Sequence, residues 1–211
     1  MSFKIKAFLV VSRFNENVDW IHDFTDDYIV YNKGEPLPDT IKQIMSRNVG
    51  GNQYDIFRHI LLNYDNLPEL LAFVQGNPFD HCRSERFKEL IYSESFTPLF
   101  GEGNYPNGNY SEDNTSWYIN GSWLQHAPES KFASFDDYMN FIFSDYVHQD
   151  KLIFPPGSQI IVERERCLFY SKNFWRKLMD IFPTQPGLNG GREAHIIERS
   201  VQIIFENKYH E

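Results

Sequence analysis

Three groups of polar side chains follow apolar segments of this sequence, and their types suit the binding of a nucleotide and a metal ion. In chain order the groups are Arg13 with Asn15, Asn32 with Lys33, and Gln75 with Asn77, Asp80 and His81. Arginine and lysine bind phosphate, and a carboxylate such as that of Asp80 binds a hard divalent cation. Polar residues follow most strands, so each group alone is weak evidence. Three groups at one sheet edge predict a site there.

A glycine pair gives a more specific signal. Gly50 and Gly51 precede a predicted helix that contains Arg58. Glycine lets backbone N–H groups approach a phosphate closely, and the start of a helix favours negative charge. The guanidinium of Arg58 can bind a diphosphate through two parallel hydrogen bonds. The alternative interpretation is an ordinary helix start with a surface arginine.

The elements that must position these groups alternate along the chain. Continuous apolar runs predict buried strands at 7–11, 28–31, 70–74 and 158–162. Helical spacing of apolar residues and helix-start signals predict helices at 18–24, 52–64, 84–92, 134–147, 172–182 and 194–205. The alternation predicts one α/β domain over residues 1–211, with a mostly parallel central sheet flanked by helices. Such a domain can be one module of a longer protein.

Two of the predicted helices carry recognisable starts. Asn52 is expected to cap the helix at 52–64. Ser134 and Asp137 stand at the spacing of a capping box, with Asp in place of the usual Glu or Gln. The acidic pair that Asp137 forms with Asp136 is therefore interpreted as part of a helix start rather than as a metal site.

The segment 93–130 is long and rich in Gly, Asn, Ser and Pro, and it contains Trp117 and Trp123. Long irregular segments in compact domains usually act as lids or binding loops. Aromatic side chains offer flat faces on which a sugar can pack. This segment is therefore predicted to close over a bound ligand.

Composition excludes several classes of protein. The net charge is −9, and an acidic chain repels a nucleic-acid backbone, so general nucleic-acid binding is not expected. Cys82 and Cys167 are too few and too far apart for a disulfide framework or a zinc site, and they favour a reducing, cytoplasmic compartment. The apolar run at 7–11 is too short to span a membrane.

The order of these segments resembles the nucleotide-sugar glycosyltransferases of the GT-A fold. The resemblance is carried by Val-Val-Ser-Arg-Phe-Asn-Glu at 10–16, Asn-Val-Gly-Gly at 48–51 with Arg58, and Leu-Ala-Phe-Val-Gln-Gly-Asn-Pro-Phe-Asp at 71–80. It covers residues 7–81 well and the rest loosely. It is closest to viral members that build the glycan of a capsid protein. The resemblance implies a Rossmann-related fold, a UDP-sugar donor and Mn²⁺ or Mg²⁺.

The resemblance also implies roles for individual residues. The donor-binding residues would be Arg13, Asn15, Asn32, Lys33, Gly51, Arg58, Gln75 and Asn77. Gln159 and Glu165 would lie near the sugar, and Glu198 would serve as a base or contact the acceptor. The alternative for Glu165 and Glu198 is ordinary solvated surface charge.

The metal motif departs from the family pattern. Gln75-Gly76-Asn77 stands where the family has Asp-x-Asp, and neutral amides are poor ligands for a hard dication. Asp80 is therefore expected as the main protein ligand, with oxygens of the diphosphate completing the shell. His195 matches the late histidine that family members often add. The alternatives are a turn residue for Asp80 and a packing or surface role for His195.

The expected function is metal-dependent transfer of a hexose or deoxyhexose, from UDP-glucose or UDP-rhamnose, to an oligosaccharide or glycoprotein. For a viral protein this would take place in the host cytoplasm. Two alternatives stay open. A nucleotide-sugar hydrolase would use the same acidic groups, and a non-catalytic carbohydrate-binding module would use the aromatic residues of 93–130.

Overall fold

Strands and helices alternate along the chain. The structure, a computed structural model, describes residues 4–101, 110–113, 131–149, 151–182 and 191–211. The strands are β1 (Phe8–Arg13), β2 (Tyr28–Asn32), β3 (Gln43–Met45), β4 (Leu70–Gln75), β5 (Thr97–Pro98), β6 (Tyr110–Asp113), β7 (Lys151–Phe154) and β8 (Ile160–Glu163). The helices are α1 (Ile21–Phe24), α2 (Gly51–Asn63), α3 (Ser84–Leu90), α4 (Phe135–Ile142), α5 (Arg164–Leu168), α6 (Lys172–Met179) and α7 (Gly191–Phe205).

Six strands form the central sheet in the order β3-β2-β1-β4-β8-β5. β1 runs parallel to β2 and β4, and β2 runs parallel to β3. β8 is antiparallel to both of its neighbours, β4 and β5. The α/β class and the flanking helices are confirmed. The expected parallel arrangement holds from β3 to β4 and ends at β8, so the sheet is mixed.

Both faces of the sheet are buried, which explains why its strands are continuous apolar runs rather than alternating ones. Val10 and Phe73 pack under α2, α4, α6 and α7. Leu9, Val11 and Ala72 point to the other face, under α1 and α3. The central strands therefore lie between two helical layers, and their ends alone can meet a ligand.

The two predicted helix caps have different outcomes. Ser134 Oγ accepts a hydrogen bond from Asp137 N at 3.0 Å, which confirms the predicted start of α4. The predicted Asn52 cap is wrong, because α2 begins at Gly51 and no side chain caps it. Gly50 adopts the left-handed conformation at this N-cap, with φ 64°. A Cβ on Gly50 would lie 2.5 Å from the Phe182 ring, so packing as well as backbone conformation requires glycine.

The second sheet lies outside the predicted set of elements. It pairs β6 with β7 in antiparallel register, with Tyr110 opposite Phe154. β6 falls within the predicted loop 93–130, whose residues Trp117 and Trp123 lie outside the described ranges. In the described ranges, no helix has both the length and the apolar character of a membrane span.

Candidate functional site

The strand order creates a crevice between β1 and β4. From β1 the chain proceeds to β2 and β3 on one side, whereas β4 pairs with β1 on the other. In open α/β sheets a ligand binds at the carboxyl ends of the strands where the order reverses in this way. The turns that follow β1 and β4 are therefore the first places to look for a site.

These two turns touch each other. The Glu16 carboxylate accepts hydrogen bonds from Phe14 N at 2.7 Å and from Asn15 N at 3.1 Å. A Cβ on Gly76 would lie only 2.6 Å from Glu16 Oε2. Trp20 Nε1 donates to Gly76 O at 2.9 Å. Glu16 and Trp20 thus connect the two turns at the mouth of the crevice, and a Cβ at position 76 would displace the Glu16 carboxylate.

Arg13 and Asn32 are buried and hold the turns after β1 and β2 together. Arg13 donates from Nη1 to Asn32 Oδ1 at 2.7 Å and to Glu35 O at 2.8 Å, and from Nε to Glu16 O at 2.8 Å. Asn32 Nδ2 donates to Glu35 O at 2.8 Å. Asn15 is exposed and accepts from Glu35 N at 3.0 Å. Arg13 and Asn32 therefore position the rim, and Asn15 lies on it.

Lys33 forms a buried ion pair beneath the start of α2. Its Nζ lies 3.0 Å from Asp55 Oδ2, and the two side chains are 5% and 1% exposed. It also donates to Gly51 O. Asp55 accepts from Ser12 Oγ and from Ser46 Oγ, each at 2.5 Å. Burial raises the pKa of Asp55, and the charge of Lys33 opposes that rise.

Arg58 is directed to the edge strand rather than to the glycine pair. It donates to Met45 O at 3.2 Å and to Ser46 Oγ at 3.1 Å. Its guanidinium lies over the Tyr31 ring, 5.4 Å from the centroid. In this arrangement Arg58 ties α2 to β3.

The start of α2 is joined to a second turn, Pro156–Ser158, which precedes β8. Asn52 Nδ2 donates to Gly157 O at 2.7 Å and lies 3.4 Å from Gln75 Oε1. Gln53 Nε2 donates to Ser158 Oγ at 2.8 Å. Gly51 is exposed at this helix end. The uncapped helix start therefore lies beside the end of β4, where its dipole favours an anion.

The turn after β4 carries a chain of amides that ends in a carboxylate. Gln75 Nε2 donates to Asn77 O at 3.0 Å, and Asn77 Nδ2 donates to Asp80 Oδ1 at 2.7 Å. Asp80 is exposed. Gln159 is fully buried and connects this turn to β8: its Nε2 donates to Pro78 O at 3.0 Å. Gln159 thus holds the buried side of this turn.

Gly157 connects α7 to the turn after β4. Its φ is +69°, and a Cβ there would lie 2.8 Å from both Gln75 Oε1 and His81 Cδ2. Its N–H donates to Glu198 Oε1 at 2.7 Å. The turn that contains Gly157 is therefore packed between the end of β4 and the first half of α7.

Two histidines border this cluster. His195 Nδ1 lies 3.9 Å from Glu198 Oε2, which also accepts from Arg199 Nη1 at 3.1 Å. Burial lowers the pKa of His195 and of His81, and the charge of Glu198 opposes both shifts. The Asp80 charge also opposes the lowering of the His81 pKa. Both histidines are therefore neutral near pH 7 and can accept or donate through a ring nitrogen.

Glu165 lies near the start of β4, at the opposite end of this strand from Asp80. β8 runs antiparallel to β4, so Glu163, the last residue of β8, pairs with Leu70 at the start of β4. Glu165 follows on α5 with its side chain 72% exposed, 3.5 Å from Arg164. The reversal of β8 separates Glu165 from Asp80 by the length of the strand.

The donor set near Asp80 suits a hard divalent cation in type but not in number. Hard cations prefer oxygen ligands, and Asp80 offers an exposed carboxylate. Asn77, however, presents its Nδ2 to Asp80, and Gln75 Oε1 lies near Asn52 Nδ2. Within the described residues, no group of three or more His, Cys, Asp or Glu side chains is arranged to hold a metal. A cation at Asp80 would need further oxygens from a bound ligand.

Asn15 on the rim of the crevice and Gly51 at the start of α2 are exposed, and the structure divides the other expected site residues into three sets. It gathers one cluster around the end of β4, namely Gln75, Asn77, Asp80, Gln159, His195 and Glu198. Arg13, Asn32, Lys33 and Arg58 brace the neighbouring loops, and Glu165 lies elsewhere. Sequence reasoning missed Asn52 as a bridge, Asp55 and Gly157.

No family model matches this chain, and neither does any curated protein or solved structure.

Proposed function

We propose that the chain is a glycosyltransferase that moves a hexose or deoxyhexose from a UDP-sugar to a glycan acceptor with Mn²⁺ or Mg²⁺. The observation that carries the proposal is the position of Asp80. It is an exposed carboxylate, bonded to Asn77, at the carboxyl edge of the sheet beside the crevice. Ligands of open α/β sheets bind at that edge. The GT-A resemblance of residues 7–81 supports the same choice.

In this proposal the diphosphate lies between the start of α2 and the turn after β4. The exposed backbone at Gly51 offers N–H groups to phosphate oxygens. Asp80, held by Asn77 Nδ2, faces the other side of the diphosphate. A bound divalent cation supplies neutralisation of the leaving group there.

The carboxyl-terminal residues have a positioning role in the proposed reaction. Both carboxylate oxygens of Glu198 are engaged, one by Gly157 N and the other by Arg199. Glu198 therefore fixes the Gly157 turn against Gln75. His195 lies beside Glu198 with a neutral ring, which can bind a sugar hydroxyl or a phosphate oxygen.

The test is to replace Asp80 with Ala. We expect UDP binding, measured by calorimetry with Mn²⁺, to weaken at least about tenfold, and transfer from UDP-glucose or UDP-rhamnose to fall at least about 100-fold. The fold should persist, because Asp80 is exposed and bonded only to Asn77 within the described chain. Asp39→Ala, an exposed carboxylate after β2, is the matched control and should change neither quantity.

Product analysis separates the alternatives. Release of free sugar at the same rate with and without acceptor would identify a hydrolase. Binding of glycans without any binding of UDP would identify a carbohydrate-binding module. Full activity of Asp80→Ala, or UDP binding that is indifferent to Mn²⁺, would overturn the metal assignment.

A further inference from the structure

A groove of about 440 Å³ lies between α4 and α6, and no residue of it belongs to the Asp80 cluster. Its described lining residues are Lys131, Phe132, Phe141, Asn173, Arg176, Lys177, Asp180 and Ile181. The volume falls within the range of small-molecule sites in proteins. Nothing in the proposed transfer reaction uses this groove.

One wall of the groove is aromatic and, within the described residues, partly exposed. α4 buries Phe135, Tyr138 and Ile142 against the core, which satisfies its apolar face. Phe141 points to the other side and is 46% exposed. The rings of Phe132 and Phe141 lie 5.4 Å apart. The two rings are tilted by 51° to each other, so the pair offers an angled apolar contact to whatever occupies the groove.

The other wall is basic. Lys131, Arg176 and Lys177 line it, and none of the three makes an ion pair with a carboxylate of the described chain. Lys177 Nζ lies 4.4 Å from the centre of the Phe141 ring, so the charge and the aromatic face meet. By contrast, Lys172 on the same helix is paired with Asp65.

The charge of the groove differs in sign from that of the chain. The chain carries a net charge of −9, yet the described lining of this groove has three cations and one carboxylate, that of Asp180. Clustered cations on an acidic protein concentrate anions locally. An anion that also has an apolar body would contact both the basic and the aromatic wall, whereas a simple ion would contact only the basic wall.

We infer that the groove between α4 and α6 binds a small amphipathic anion: a carboxylate, sulfonate or phosphate attached to a ring or a short acyl chain. The apolar body packs on Phe132 and Phe141. The anionic group is bound by Arg176 and Lys177, and the Arg176 guanidinium can make two parallel hydrogen bonds to it.

The test uses 8-anilinonaphthalene-1-sulfonate, a fluorescent aromatic sulfonate, with the full chain. We expect saturable binding of one probe per chain. The double variant Arg176→Gln/Lys177→Gln should weaken binding at least about tenfold. Lys88→Gln/Lys172→Gln removes the same number of charges outside the groove and should leave the dissociation constant within about twofold of the parent value. Unfolding curves of both double variants check that the fold is intact.

A second probe separates charge from general hydrophobicity. N-phenyl-1-naphthylamine has similar rings and no charge, and we expect it to bind at least about tenfold more weakly than the sulfonate. Phe141→Ala should weaken the binding of both probes. Equal binding of the two probes, or an unchanged dissociation constant for Arg176→Gln/Lys177→Gln, would refute the inference.

Discussion

Asp55 shows how one side chain organises the loops around the crevice. It accepts hydrogen bonds from Ser12 on β1 and from Ser46 after β3, and it pairs with Lys33 after β2. Three parallel strands are thus tied to one carboxylate on α2. The relative positions of their ends depend on a residue that contacts no ligand in the proposed reaction.

Asp55→Asn should destabilise the protein by about 3 kcal/mol, because it leaves the Lys33 ammonium buried without its charge partner. Urea unfolding followed by fluorescence measures this change. The control is Asp65→Asn, which breaks the exposed pair with Lys172 and should cost less than about 1 kcal/mol. A similar loss of unfolding free energy in both variants would show that the buried pair stabilises the protein no more than the exposed pair does.

The residues of the Asp80 cluster differ in how far the sequence could reveal them. Gln75, Asn77 and Asp80 were predictable because they follow a strong apolar strand. Asn52 was not, since its bond to Gly157 joins positions 105 apart. Outside the cluster, Arg13 was predicted to bind the donor, and its bonds to Asn32 and Glu35 add a loop-bracing role that spacing does not encode.

Among the elements, those with strong periodicity or long apolar runs were predicted well. β1, β2, β4 and β8 and the longer helices lie close to their expected positions. β3 and β5 have three residues and two residues, too few for any pattern to register. Strand direction is also invisible to periodicity, so the antiparallel β8 could not be foreseen. The resemblance implied a position near the sugar for Glu165, and the direction of β8 places this residue at the other end of β4.

Gly157 lies at a junction of elements that is sensitive to substitution. Gly157→Ala should cost at least about 2 kcal/mol, because a left-handed residue is strained and its Cβ would meet Gln75 and His81. Gly51→Ala, with φ +53° and only the flexible end of Gln53 nearby, isolates the strain and should cost about 1 kcal/mol. Thermal or urea unfolding compares the two. Equal losses of unfolding free energy in the two variants would mean that the turn accommodates the added Cβ without displacing Gln75 at the end of β4.

At the scale of the whole molecule, many of the aromatic residues pack against one another in the hydrophobic core. Trp175 packs against Phe57 and Phe205, with ring centres 5.7 Å away in each case. Phe73 on β4 stacks on Phe205 at 6.2 Å. Aromatic residues make up 17% of the sequence, and those of this described core stabilise the contact between the sheet and the helices that cover one of its faces.

His59 makes the stability of the molecule dependent on pH. It is buried against Phe8, Tyr31 and Phe73, and burial lowers its pKa to about 4 from 6.5. Unfolding therefore takes up a proton between these values, so stability falls as the pH drops from 6.5 to about 4 and this contribution is then exhausted. The loss should reach about 3 kcal/mol.

The pH effect can be isolated by comparing unfolding free energies at pH 7 and pH 4 for the parent and for His59→Phe. The phenylalanine variant should retain the stability that the parent loses to this group. His22→Phe, at an exposed histidine, is the control and should follow the parent. Parallel pH profiles for all three proteins would exclude His59 as the cause.

The long separation in sequence between the two halves of the Asp80 cluster has a consequence for how the protein is made. Gly157 and Glu198 reach the Asp80 cluster from the distal third of the chain, 105 positions after Asn52 in the case of Gly157. A nascent chain on the ribosome can form β1 to β4 and α2 while half of the cluster is still untranslated. Ligand binding that needs the whole cluster would then begin only after Glu198 has been translated, and products truncated before that residue would stay inert.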